Sequence, residues 1–270
     1  MLSLIPRFFY VDTSLGQIHG RLYPNKGPTI VCFHPMPYSS GYYQTFCNNL
    51  IEATDFSVVS LDMLGYGQSS MIDDPITIQD YAQTSAEAIQ TLIRNNDINP
   101  DIILLGFHSG SAIANEMTII EPKLMNKAIF VTYPFFDAIK RKEMIASLSK
   151  TSLDDNLESL RSMWEFTVSD RAEGVPLDRA LSNFRDQLQS IENGWFGFHS
   201  MFHYPSEERL PLSKVSSLVL NDQSSLTEPT NQAYKILTNA QYKELEKTKG
   251  AIFELNTDQI IHHIESFILS

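Results

Sequence analysis

The residues best placed to do chemistry lie in the segment Asp101-Ile-Ile-Leu-Leu-Gly-Phe-His-Ser-Gly-Ser-Ala-Ile-Ala114. It reads as a buried strand, a sharp turn and the start of a helix. Gly106 and Gly110 let strand and helix approach each other, which puts His108, not Ser109, at the apex of the turn. Were Ser109 the apex, Phe107 would fill a position that tolerates only a small side chain. An imidazole has an ordinary pKa of about 6.5 and is partly neutral at physiological pH. On such a turn it can take a proton from a C–H group or from water, or attack a carbonyl directly. Attack would give an acyl-imidazole, which hydrolyses readily, and no second base is evident, so general-base chemistry is preferred. The alternative is that His108 is merely tolerated at a site that has lost its reaction.

Other residues are candidates for the walls of a site. His199 and His203 have the i, i+4 spacing of two metal ligands on a helix. No acidic residue or third histidine accompanies them, so no metal is expected, and His199 is taken as a pocket residue. His34 closes an apolar run, where it either lines the pocket or bonds to the neighbouring loop. Residues 135–210 are rich in rings, among them Trp164, Phe166, Trp195, Phe196, Phe198, Phe202 and Tyr204, while Tyr133 and Phe135 fall at a strand end. Ligands of open α/β sheets bind at the carboxyl ends of the strands. Tyr133, Phe135, Trp164 and Trp195 are therefore candidate substrate-binding residues, although most of these rings must also form core.

The elements that position these residues alternate. Strands are expected at Arg7 to Val11, Gln17 to Tyr23, Thr29 to His34, Ser57 to Leu61, Ile102 to Gly106, Lys127 to Thr132 and Val215 to Leu220. Helices are expected from Gln44 to Glu52, from Thr77 to about Asn95, from Ser111 to Ile120 and from Thr257 to Leu269. Continuous apolar runs such as Thr29 to His34 suit strands buried on both faces, and the alternation predicts a mostly parallel sheet between helices. Residues 135–210 show helical stretches without a buried strand. The expected division is a core of 1–134 and 211–270 with a helical cap of 135–210.

The bulk properties fit this reading. A chain of 270 residues, 43% hydrophobic, can bury a sizeable core. The net charge of −12 argues against nucleic acid or an anionic membrane as partner. Cys32 and Cys47 lack metal spacing and suggest a reducing compartment. The opening Met1-Leu-Ser-Leu-Ile-Pro-Arg7 lacks the apolar stretch of a signal peptide, and no run reaches membrane-spanning length, so a cytoplasmic location is expected. No Gly-rich phosphate loop is present, and no cofactor is expected. The expected partner is a small-molecule substrate; a homodimer is left open.

Taken together, several motifs resemble the α/β-hydrolase fold superfamily, its cap-containing members in particular. Phe33-His-Pro-Met36 stands where that family reads His-Gly-x after its third strand. Asp62-Met-Leu-Gly-Tyr-Gly-Gln-Ser69 is similar to its Asp-x-x-Gly-x-Gly-x-Ser turn, and Gly106-Phe-His-Ser-Gly110 fills the nucleophile elbow. Leu218-Val-Leu220 and the polar turn after it stand where the acid-bearing strand belongs. The triad itself does not carry over. His108 holds the nucleophile position. Counting on from the Leu-Val-Leu strand lands on Ser225, with Asp222 three residues early, and Ala251 falls where the catalytic histidine belongs. Asp137, after another strand, is a second place for an acid, but reads better as a solvated residue. Asp62 reads as a holder of its own turn.

The resemblance also implies an oxyanion hole, built from the amide after the elbow residue and one from the loop after the third strand. Those are Ser109 and Met36; Pro35 replaces the loop's first residue, not the donor. The expectation is an α/β-hydrolase-fold enzyme acting on a small apolar carbonyl compound, with His108 as general base and Ser109 and Met36 as oxyanion donors. The competing expectation is an inactive hydrolase-fold protein that binds a small ligand.

Overall fold

A computed structural model describes residues 5–150 and 157–269. The first four residues of the opening segment therefore lie outside the described residues. Eight strands form one sheet: β1 (Arg7–Thr13), β2 (Gly16–Tyr23), β3 (Thr29–Phe33), β4 (Ser57–Leu61), β5 (Ile102–Phe107), β6 (Lys127–Val131), β7 (Ser216–Asn221) and β8 (Ala240–Glu244). Their order is β1-β2-β4-β3-β5-β6-β7-β8. The pairs β1–β2 and β2–β4 are antiparallel and all the others parallel. The three adjacent strands β4, β3 and β5 are buried at every position, as their mostly apolar sequences suggest, with Thr29, Ser57 and Ser60 as the buried polar exceptions.

Successive residues of a strand point to opposite faces, and the core divides accordingly. Val31, Phe33, Leu104 and Phe130 pack on one face, against α2 (Ile78–Arg94) and α3 (Ser109–Ile120). Ile30, Cys32, Leu105 and Val131 pack on the other, against α1 (Gln44–Ala53) and the carboxyl-terminal helix. Thr77 caps α2 through a reciprocal pair with Asp80, which fixes where that helix starts.

Between β6 and β7 the described residues form helices and no strand: α4 (Ala138–Ser147), α5 (Glu158–Trp164), α6 (Leu177–Gln189), α7 (Trp195–His203) and α8 (Ser206–Arg209). The chain then adds α9 (Thr227–Ile236), the short α10 (Ile252–Leu255) and α11 (Thr257–Ile268). No helix of the described residues is long and apolar enough to cross a membrane. Helix α7 is fixed to the sheet side of the molecule: Met201 and Phe202 join the core of α2 and α3, and Tyr66 accepts a 2.8 Å hydrogen bond from the Gly197 amide. Helix α6 is tied down by buried polar bonds. Arg179 Nε donates to Glu254 Oε1 at 2.8 Å and its Nη2 to the Gly41 carbonyl at 2.8 Å. Ser39 Oγ donates to Asp186 Oδ2 at 2.6 Å.

Three elements after residue 210 are absent from the sequence expectation: β8, α9 and the single turn α10. Strand β8, Ala-Gln-Tyr-Lys-Glu, lies at the sheet edge with no buried position, so it has none of the apolar run that marks the inner strands. Helix α9 precedes it and buries only Thr230 and Ala233.

Candidate functional site

The turn between β5 and α3 has the geometry its glycines imply. His108 has φ of 48° and ψ of −120°, a backbone that side-chain-bearing residues rarely adopt. A Cβ on Gly106 would sit 2.2 Å from the Gly110 carbonyl oxygen, and one on Gly110 would sit 2.0 Å from that of Phe33. The turn is locked from behind. The His108 amide donates to the Val131 carbonyl at 3.1 Å, and Ser111 Oγ donates to the Gly106 carbonyl at 2.7 Å. His108 therefore stands at the apex, at the carboxyl edge of the central parallel strands.

Its ring faces a cavity of about 710 Å³. Six aromatic walls frame it: Tyr38, Tyr42 and Phe107 on the sheet side, and Phe166, Trp195 and Phe198 on the helical side. The imidazole packs at 3.9 Å against the Phe107 ring and has no hydrogen-bond partner among the described residues. Burial in these walls lowers its pKa to about 4, so it is neutral through the physiological range. Among the described residues no carboxylate holds it in one tautomer.

The donors beside it are half as expected. The Ser109 amide opens α3, where helix geometry leaves N–H groups without partners, and it makes no hydrogen bond among the described residues. The Met36 amide is not free: it donates to Ser109 Oγ at 2.9 Å. Met36 lines the cavity, so a carbonyl oxygen would meet this amide either by displacing the Ser109 hydroxyl or through it.

Of the proposed wall residues, Trp195 lines the cavity and five others do not. His34 is fully buried under the loop: its Nδ1 donates to the Pro35 carbonyl at 3.1 Å and its Nε2 accepts from the Met63 amide at 3.0 Å. The structural role is the one it takes. Tyr133 is buried with its hydroxyl 3.1 Å from Ser206 Oγ, and Phe135 belongs to the core beneath α7. Both are turned that way by Thr132, whose φ of 48° redirects the chain at the end of β6. Trp164 is 42% exposed and meets Phe184 edge-on at the outer side of α5 and α6. His199 stacks at 4.1 Å on the exposed ring of His203 instead of entering the cavity. No cluster of three or more metal-binding side chains occurs among the described residues.

Other aromatic candidates divide the same way: Phe196, Phe202 and Tyr204 are core, whereas Phe166 and Phe198 are wall. Tyr38 and Tyr42 were not legible as wall residues. Their only sequence signal is position, a few residues beyond Met36 in the loop that shapes the oxyanion side.

The acidic residues have definite duties. Asp137 caps α4, accepting from the Lys140 amide at 2.8 Å, and does not reach His108. Asp62 holds its turn, accepting from the amides of Ser40 at 2.6 Å and Gln68 at 2.8 Å and pairing with His19 at 2.7 Å. Burial alone would raise its pKa, but these bonds and the nearby His34 bring it down to about 2. Asp222 directly follows β7 and is buried beneath the loop that ends at Ala251. Its Oδ2 accepts from the Gly250 amide at 3.2 Å, and its Oδ1 has no partner among the described residues. Burial pushes its pKa up, against the pull of the backbone amides it faces. Lys249, Gly250 and Ala251 form part of the cavity wall, and Ser225, where the count for an acid falls, is exposed.

Comparison with known proteins agrees with this arrangement. The family model described as the alpha/beta hydrolase fold matches residues 28–248. No curated protein matches the chain. Among solved structures, the chain is similar to a thermophilic esterase from Thermogutta terrifontis, with 14% identity, 97% of this chain and 98% of that one covered, and a TM-score of 0.75. It is similar to an enol-lactonase from Burkholderia xenovorans LB400, with 12% identity, 97% and 100% covered, and a TM-score of 0.76. A bromoperoxidase from Bacillus anthracis shares 14% identity over 98% of this chain and 100% of its own, with a TM-score of 0.75. At such identities the likeness is one of fold. With a family match over most of its length and an elbow, turn and sheet order of the same kind, the chain belongs to the α/β hydrolase fold family.

Proposed function

We propose that the protein is an enzyme acting on a small apolar carbonyl compound, an ester, a lactone or a related ketone, with His108 as general base and residues 135–210 as the cap over its site. One juxtaposition carries the reading. An imidazole without a hydrogen bond among the described residues, held on strained backbone, faces an aromatic cavity beside the N-terminal end of α3. Strain of this kind persists where the surrounding structure enforces it, and it clusters at active sites. The esterase and the enol-lactonase among the similar structures make acyl chemistry the first class to test.

In the hydrolytic form, His108 takes a proton from a water molecule and the water oxygen bonds to the carbonyl carbon. The carbonyl electron pair moves onto its oxygen. The Ser109 amide and the positive end of α3 stabilise that charge. The Ser109 hydroxyl, which already accepts from the Met36 amide, can turn its own proton to the same oxygen. Collapse breaks the bond to the leaving oxygen, which takes the proton from the imidazolium. A base with a pKa of about 4 is weak in the empty site. It gains basicity when an oxyanion forms beside it, because the opposite charges stabilise each other.

The test is turnover of short-chain aryl esters and lactones by wild type and by His108→Ala. The proposal expects kcat to fall by at least about a hundredfold, the scale of general-base catalysis, with ligand affinity kept. Equal rates in the two proteins would remove His108 from the reaction. A second reading, ligand binding without turnover, is favoured by the occupied Met36 amide and by the lack of a carboxylate against His108. It predicts ligand affinity with no turnover in either protein.

A further inference from the structure

The cavity carries charged side chains as well as aromatic rings in its wall. Arg171 and Lys249 both line it, the first after α5 and the second in the loop before α10. Neither forms an ion pair among the described residues. Arg171 is nonetheless fixed. Its Nε donates to the Val175 carbonyl at 3.0 Å and its Nη1 to the Val168 carbonyl at 2.8 Å, while Nη2 has no partner among the described residues. A guanidinium already held by backbone loses little freedom on binding a carboxylate, and its planar fork matches one. A third cation, Lys150, lies 4.7 Å over the ring of Trp195 on the helical wall.

The carboxylates of the wall cancel only part of this charge. Glu254 is paired with Arg179, whose own charge lies just outside the wall. Asp170, next to Arg171 in sequence, also lines the cavity and makes no ion pair among the described residues, so it offsets one of the two cations and leaves the wall one positive charge in excess. The chain as a whole carries a net charge of −12 and repels anions. A wall with one positive charge in excess, Arg171 and Lys249 against Asp170, is the reverse of the chain's general surface.

We infer that the ligand of this cavity carries a carboxylate, bound by Arg171 and Lys249, on an aryl or alkyl body that lies along the aromatic walls. This rests on the cavity being the substrate site, and it narrows the proposed class to carbonyl compounds that bear a second, anionic group. The neutral imidazole suits such a ligand: it adds no charge of its own at the carbonyl end, so the acid end alone sets the orientation.

Binding without turnover tests it. The probes are phenylacetate, 3-phenylpropionate and 4-phenylbutyrate, each beside its primary amide, measured at pH 7 by quenching of tryptophan fluorescence and by thermal stabilisation. The expected result is that at least one acid binds about tenfold tighter than its amide, the size of one charge-assisted hydrogen bond, and that this preference shrinks as salt is raised. In Arg171→Gln/Lys249→Gln the ratio of acid to amide affinity falls towards one, and Arg171→Lys keeps part of it. Binding of no acid, equal binding of acids and amides, or a preference that survives the double substitution would overturn the inference. Because no turnover is needed, a clear acid preference in a protein that hydrolyses nothing would sink the hydrolytic reading and leave this one standing.

Discussion

At the residue scale the account turns on His108. An unfolded histidine titrates near 6.5 and this one near 4. Between those values the unfolded chain takes up the proton first, so the residue's contribution to stability is lost as pH falls from about 6.5 towards 4. His108→Ala removes that loss. The fall in melting temperature between pH 7 and pH 4.5 is expected to be smaller in the variant than in wild type, read by differential scanning calorimetry. Asp62 does not enter this window, because its stabilising effect is lost only as pH drops from its ordinary value towards about 2. His34, also depressed by burial, titrates in both proteins and cancels in the comparison. An identical fall in both proteins would mean that water reaches the His108 ring and keeps its pKa ordinary.

At the element scale the elbow is the part that sequence makes most legible. Two glycines four apart, after an apolar run and before a small-residue helix, leave one apex, and the contacts a Cβ would make show why. Gly110→Ala places a methyl 2.0 Å from a backbone oxygen that cannot rotate away. The expected cost is about 3 kcal/mol, at the upper end of overpacking, or failure to fold, measured by urea denaturation; a loss below about 1 kcal/mol would mean that α3 does not sit where the turn places it. The ends of β6 and β8 were less legible for two different reasons. Tyr133 and Phe135 follow a residue of positive φ, and a turn of that kind leaves no trace in hydrophobic periodicity. The edge strand β8 has charges where inner strands have Val and Leu, which protects an edge and hides it from an apolar search. Arg171 and Lys249 were invisible for a further reason: which cations lack partners depends on which carboxylates the fold spends elsewhere.

At the scale of the whole molecule, the helical segment and the sheet behave as one packed body around the cavity. The Arg179–Glu254 pair joins them, with both side chains under a tenth exposed and Thr45 Oγ1 also donating to Glu254. Removing one partner strands the other charge, and Arg179→Met is expected to cost about 3 to 5 kcal/mol. Replacing both, as Arg179→Met/Glu254→Leu, should recover most of that loss, because the ion-pair attraction largely offsets its own desolvation. Guanidinium denaturation of the three proteins reads both numbers; a double variant no more stable than the single one would show that the remaining bonds of Arg179 to Gly41 and Gln44 matter more than the charge. Net charge and composition constrained the partners at this scale but not the site, since the cavity's cations run against the acidic whole.

The central claim, that a neutral His108 is the base, is tested most directly by the pH dependence of kcat/KM for the best ester or lactone substrate. The account predicts a rate that is level from about pH 6 to 9, falls only on an acid limb near 4, and is abolished by His108→Ala. Activity in the His108→Ala variant with the same profile as wild type would contradict it.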